Sequence, residues 1–287
     1  AHPLVGGVVL FGRNIEDRAQ VARLVAGIRR IRPGLLVCVD HEGGRVQHLA
    51  RGFTRIPPMA SLGRAWDLDP LEAMREEMQR DPTVFVYGED IVRQGGIFGQ
   101  FKGLPEEFPG RVRDVPISET MIVGAALGAA LTGTRPVADM HFADFIGVAF
   151  DELVNQIAKN RYMFGGQANI PLVIRAPDGI INSAAAQHSQ SVEGWLQNIP
   201  GLIIVAPSSP ATAKGLLKSA IRQDDPVIFF EHKVLYPQKG PVPEEEYLTP
   251  IGKAEVRKPG KDVTIVTYSI MVQKCEEAAM ELEKEGI

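Results

Sequence analysis

The chain has 287 residues, enough for one large domain or two ordinary ones, and its 45% hydrophobic and 23% charged content exclude a disordered, fibrous or coiled-coil protein. A net charge of -4 is far from the basic footprint of a nucleic-acid binder, and no apolar run reaches the ~18 residues of a membrane helix. Cys38 and Cys275 lie far apart and form no disulfide framework, which points to a reducing cytoplasm.

Strand and helix signals alternate, the pattern of parallel α/β architecture. Val5–Phe11 reads as an apolar strand. Asp17–Arg30 carries Val21, Leu24, Val25 and Ile28 at amphipathic-helix spacing, stopped by Pro33 and Gly34 before a second strand at Leu35–Asp40. Arg51–Pro70 is rich in turn residues. Leu71–Arg80 reads as a helix leading into a strand at Thr83–Tyr87. Further strands are expected at Val137–Met140, Leu172–Arg175, Leu202–Ala206, Val227–Glu231 and Val263–Tyr268. Helices are expected at Met121–Leu131, Phe145–Ala158, Pro210–Gln223 and Val272–Lys284. Tyr236–Gly260, crowded with proline, glycine and the acidic run Glu244–Glu246, reads as an interdomain linker, and the single βα unit after it as the cut-short start of another domain.

Two sets of motifs point to different families. HPLVGGVVLFGRN (His2–Asn14), VDHEGGRVQ (Val39–Gln47) and GFTRIPPM (Gly52–Met59) resemble bacterial β-N-acetylhexosaminidases of the family-three glycoside hydrolases. That resemblance implies a TIM-type barrel in which Asp40 binds sugar hydroxyls at a strand end. From about Glu72 onward, VFVYGEDI (Val84–Ile91), DVPISE (Asp114–Glu119), GAALGAALTGTRPV (Gly124–Val137), NRYMFGGQ (Asn160–Gln167), PLVIRAPDG (Pro171–Gly179), AAQHSQS (Ala185–Ser191) and DDPVIFFEHK (Asp224–Lys233) resemble the β subunit of thiamine-diphosphate-dependent 2-oxo acid or acetoin dehydrogenases. The chain therefore reads as a composite. Its expected class is α/β: a doubly wound parallel sheet, the pyrimidine-binding domain, with an N-terminal βαβ-like appendage from the barrel. Expected boundaries are 1–70 for the barrel fragment, 71–235 for the pyrimidine-binding domain, 236–262 for the linker and 263–287 for the start of a C-terminal domain.

The second resemblance assigns chemistry to particular positions. Glu119 becomes the carboxylate beside the aminopyrimidine N1′, the alternative being a helix-capping acid. His188 becomes the histidine that moves protons on the substrate side, the alternative being a satisfied loop histidine. Phe145 becomes the ring stacked on the pyrimidine, although Phe142 lies close by and core packing would explain either. Ile117 and Glu89 fall on the cofactor side, Glu89 with the alternative of a solvated turn acid. Leu172, Ala220, Ile221, Gln223 and Asp225 match positions where some relatives hold a potassium ion through carbonyl oxygens.

The Gly-Asp-Gly motif that carries Mg²⁺ and diphosphate in this family does not occur. Resemblance therefore implies a dehydrogenase α subunit that supplies them, in a hetero-oligomer that also works with a lipoyl-bearing acyltransferase. The hexosaminidase segment lacks the family's His-Asp acid/base loop and nucleophilic aspartate, and His48 stands where relatives place a substrate-binding arginine. Two other readings compete with the dehydrogenase: a hexosaminidase fragment, expected to be inactive, and a non-catalytic α/β subunit that only docks a partner.

Overall fold

The computed structural model describes residues 6–39, 41–43, 46–49, 51, 68–181 and 184–287, and the chain divides into two units, Ala1–Leu62 and Gly63–Ile287. In the first, strand β1 (Gly7–Leu10) pairs in parallel with β2 (Leu36–Val39), and helix α1 (Arg18–Ile31) connects them. Asp17 caps α1 by accepting from the Gln20 amide at 2.7 Å. Short strands β3 (His41–Gly43) and β4 (Val46–Gln47) pair antiparallel. The βαβ-like appendage is present, but α1 buries none of its residues and Leu36 is exposed. Two strands of a barrel cannot cover their own apolar faces.

The second unit is built on six parallel strands: β5 (Val84–Gly88), β6 (Val112–Asp114), β7 (Arg135–Asp139), β8 (Val173–Asp178), β9 (Ile203–Val205) and β10 (Val227–His232), in spatial order β6-β5-β7-β8-β10-β9. Both faces of the central strands are covered, and every residue of β8 and β10 is buried. Alternate residues feed two cores. Ala138, Ile174, Ile228 and Phe230 pack with Ile122, Val123 and Ala126 of α4 (Glu119–Leu131). Val137, Val173, Val227 and Phe229 pack with Met74 and Met78 of α2 (Leu68–Arg80) and Leu217 and Ile221 of α7 (Pro210–Arg222). Short helices α3 (Leu104–Glu107), α5 (Ala158–Met163) and α6 (Glu193–Leu196) fill connections, and α8 (Met271–Lys284) follows the last strand.

Two regions differ from the sequence expectation. The helix expected at Phe145–Ala158 is a 3-10 stretch, Ala143–Ala149, followed by a π-helical one, Glu152–Ile157. Ile146, Ala149, Leu153 and Ile157 stay buried throughout, and the tightened first turn brings Asp144 inward to Gln190. Val263–Tyr268 is not a strand: Val263 and Val266 are exposed and no strand among the described residues pairs with it. An extended segment becomes a strand only by finding a ladder partner. The breaker-rich stretch after β10 is irregular, as its prolines require, yet it is pinned to α7. Glu246 pairs with Lys218 at 2.9 Å and Arg222 at 2.6 Å, the Thr249 amide donates to the Gly215 carbonyl, and Tyr247 Oη donates to the Ala211 carbonyl.

Candidate active site

The strand order sets the location. From β5 the chain moves to β6 on one side, and from β7 to β8 on the other, so the connections leaving these two neighbours diverge and open a crevice at their carboxyl ends. Gly88 ends β5. A Cβ there would lie 2.9 Å from the Asp139 backbone oxygen and side chain, so only glycine lets β5 approach β7 this closely. Glu89 and Asp90 follow β5, Asp139 to His141 end β7, and Glu119 opens α4. Asp114, at the end of β6, accepts from the Val92 and Arg93 amides and fixes the loop that carries Glu89.

Glu119 lies in the first turn of α4 and is half-buried, and its carboxylate makes no hydrogen bond among the described residues. A capping acid would accept from the amides of that turn. Burial raises Glu89 above the usual carboxylate range; His141 opposes this, while Asp90, Glu119 and Asp139 add to it. Glu89, after β5, and Glu119, at the start of α4, both stand at the carboxyl-end crevice. Ile117, two residues before α4, is 71% exposed, an apolar side chain left uncovered at the mouth.

His188 ends a 3-10 turn, Ala186–His188, and sets its ring edge-on against Phe142 at 4.6 Å and Phe145 at 5.4 Å. Phe142 is buried; Phe145 is half-buried. Thr120 Oγ1 bonds the Val148 carbonyl, tying the start of α4 to the 3-10 stretch that holds Phe145. Glu89, Glu119, Phe145 and His188 thus line one end of one sheet. Asp40 lies outside the described residues. His48 rests edge-on against Phe11 within the first unit.

The five residues expected to hold potassium are engaged within the chain. The Leu172 carbonyl accepts from the Val227 amide and the Ala220 carbonyl from Gln223. Arg135 Nη1 donates to the Ile221 and Gln223 carbonyls at 3.0 and 2.7 Å, and Asp225 pairs with Arg161. A guanidinium thus already faces two of these carbonyls.

Sequence reasoning missed a polar layer beneath the site. Arg175, fully buried in the middle of β8, lies 3.3 Å from Asp139 and 2.5 Å from Glu231, with its guanidinium over the Phe101 ring. Asp139 Oδ1 accepts from the amide of His141, a residue held at φ +65°. Burial also pushes Asp178 up to about 7, with Glu193 adding to the effect, and His232 down to about 4, with Lys233 adding. The available signal was a charged residue inside an otherwise apolar strand, as in VIRAPD and VIFFEH.

Residues 65–239 match the transketolase pyrimidine binding domain. The chain belongs to this family. Residues 252–287 match the transketolase C-terminal domain, and residues 1–83 match the glycosyl hydrolase family 3 N-terminal domain, so the chain joins two families as its motifs indicated. It is 52% identical over 226 residues to the acetoin:2,6-dichlorophenolindophenol oxidoreductase subunit beta of Cupriavidus necator, covering 75% of this chain and 67% of that protein. Against the 2-oxoisovalerate dehydrogenase subunit beta of Bacillus subtilis it is 50% identical over 217 residues, covering 75% and 66%. Against the pyruvate dehydrogenase E1 component subunit beta of Gracilaria tenuistipitata it is 46% identical over 216 residues, covering 75% and 67%. A split-gene transketolase solved as an inactive beta4 tetramer has a TM-score of 0.63 at 27% identity, over 78% of this chain and 69% of that one. The chain spans about two thirds of the length of these relatives. No helix among the described residues is long and apolar enough to cross a membrane.

Proposed function

We propose that this chain supplies the pyrimidine-side half of a thiamine-diphosphate site in a 2-oxo acid or acetoin dehydrogenase component, working with an α-type subunit and delivering the acyl group to a lipoyl-bearing acyltransferase. The observation that carries this reading is the Glu119 carboxylate, placed at a strand-to-helix turn beside the carboxyl-end crevice without a hydrogen-bond partner among the described residues. The crevice suits a flat, amphipathic heterocycle. It has an acceptor in Glu119, a half-buried aromatic ring in Phe145 and an uncovered aliphatic side chain in Ile117. When bound, thiamine diphosphate supplies an electron sink for cleavage beside a carbonyl.

Each residue then has a task. Glu119 accepts the hydrogen bond of the protonated ring nitrogen N1′ and so sets the tautomer. Glu89, raised by burial, binds a proton more readily than an open carboxylate and limits the repulsion beside Glu119. His188, held by two aromatic edges, exchanges protons with the substrate oxygen. Mg²⁺ and the diphosphate belong to the partner in this reading, because the chain has no Gly-Asp-Gly and the described residues include no metal-binding group of three or more His, Cys, Asp or Glu. A potassium ion at the matched carbonyls would share those of Ile221 and Gln223 with Arg135 Nη1, which donates to both. The test is calorimetric titration of thiamine diphosphate with Mg²⁺ into the chain alone and into its complex with an α subunit. Binding is expected only in the complex; tight binding to the chain alone, or none in a formed complex, would overturn the reading.

A further inference from the structure

Behind Phe142 lies a buried lysine that the chemistry above does not use. Lys233 follows β10 directly and is 0% exposed. Among the described residues its ammonium has no hydrogen-bond partner; Nζ lies 4.0 Å from Asp144 Oδ2 and 5.1 Å from the centre of the Phe142 ring. Asp144 Oδ2 and Asp178 Oδ2 are likewise buried without hydrogen bonds. The other oxygen of each carboxylate is committed to a single stretch of chain. Asp144 Oδ1 accepts from the Gln190 amide at 3.1 Å and from its side-chain Nε2 at 2.8 Å. Asp178 Oδ1 accepts from the Val192 amide at 3.3 Å. The Gly179 amide bonds back to the Gln190 carbonyl at 2.9 Å. This stretch comes directly after His188, whose ring rests on Phe142.

We infer that Lys233 is the positioning residue for His188: its buried ammonium stands beside the Asp144 carboxylate, which together with Asp178 clamps the segment from Gln190 to Val192, and it backs the Phe142 ring on which the imidazole leans. The physical reason is the cost of an uncompensated buried charge. A carboxylate out of water such as that of Asp144 stays ionised, and remains a strong acceptor for main-chain amides, only if a cation stands beside it. Ala185 at φ +62°, just before the 3-10 turn, shows a segment held in a conformation that its own residues do not favour. The clamp supplies the restraint, and Lys233 makes the clamp stable. This rests on the functional reading only for what His188 does; the clamp itself is a property of the chain.

The test uses the full chain and amide hydrogen exchange. In Lys233→Met, exchange at Gln190 and Val192 should rise by about tenfold or more while amides in α2 (Leu68–Arg80) keep the parental rate. Lys233→Arg should restore most of the protection. Because Lys233→Met removes a buried cation and can unfold the domain, Asp144→Asn serves as the second variant. It should raise exchange at Gln190 by itself, and adding Lys233→Met should raise it by less than the product of the single effects. Chemical modification of His188 by diethylpyrocarbonate, followed by mass spectrometry, should accelerate in both. Parental protection of Gln190 and Val192 in both single variants, or strictly multiplicative effects, would overturn the inference. A complex with an α subunit separates this from the functional reading. Lys233→Met should lower both dye-coupled oxidation of the 2-oxo acid and transfer to lipoamide, and Lys233→Arg should recover most of both. If the parental complex shows no dye reduction, the functional reading fails while the exchange data still judge the clamp.

Discussion

His232 offers a stability prediction whose size can be worked from the structure. The ring is 7% exposed at the end of β10, packs over Gly179, and accepts from the Val234 amide through Nδ1. Burial, aided by the Lys233 charge, lowers its pKa from 6.5 to about 4. The folded state thus resists a proton that the unfolded chain takes up. The resulting stability is fully present above the unfolded pKa of 6.5 and is lost as pH falls through the folded value near 4. At about 1.4 kcal/mol per pH unit, the interval makes about 3 kcal/mol. His232→Asn keeps an acceptor near Nδ1 and does not titrate. Urea unfolding followed by circular dichroism should show parent and variant running parallel above pH 7. The parent should then lose about 3 kcal/mol more than the variant on going to pH 4. Asp178, raised to about 7, contributes with the opposite sign: its stability is present at low pH and lost as pH rises through about 7. It is common to both proteins and leaves the difference. A parent-minus-variant difference constant within about 0.5 kcal/mol over this range would refute the reasoning.

Other perturbations follow from the same geometry. Gly179→Ala would set a Cβ 2.2 Å from His232 Nε2 at a backbone φ of +75°, so thermal melts should show a loss of at least about 2 kcal/mol. Arg175→Met strands Asp139 and Glu231 without their cation and should cost about 3–5 kcal/mol in urea titrations, partly recovered by adding Glu231→Gln. The chain should release nothing from a chromogenic N-acetylglucosaminide at any pH, because the hexosaminidase segment has neither an acid/base pair nor a nucleophile; turnover abolished by Asp40→Ala would contradict this.

Sheet strands were legible where both faces are buried: β5, β7, β8 and β10 stand out as apolar runs between breakers, and α7 as a helical run from Pro210. The 3-10 and π stretches after Phe142 were not, because their apolar spacing of three and four residues is also that of an α-helix. Val263–Tyr268 misled for a different reason: alternation and β-branching describe a capacity to pair, and no pairing strand is present among the described residues. The three-residue strand β6 was too short for any periodicity to appear. Glu119 and His188 were proposed from the strings around them, since neither spacing nor composition distinguishes a catalytic acid from a cap. Lys233, Asp144 and Asp178 were hidden because their roles depend on three strand ends meeting, which only the order β7-β8-β10 creates.

The central claim is that Glu119 serves the cofactor ring and is not a helix cap. The direct measurement is deuterium exchange at the thiazolium C2 position in the complex with an α subunit, comparing the parent with Glu119→Gln. The account predicts a fall of about 100-fold or more, with the α4 amides as protected as in the parent. Exchange at the parental rate would contradict it.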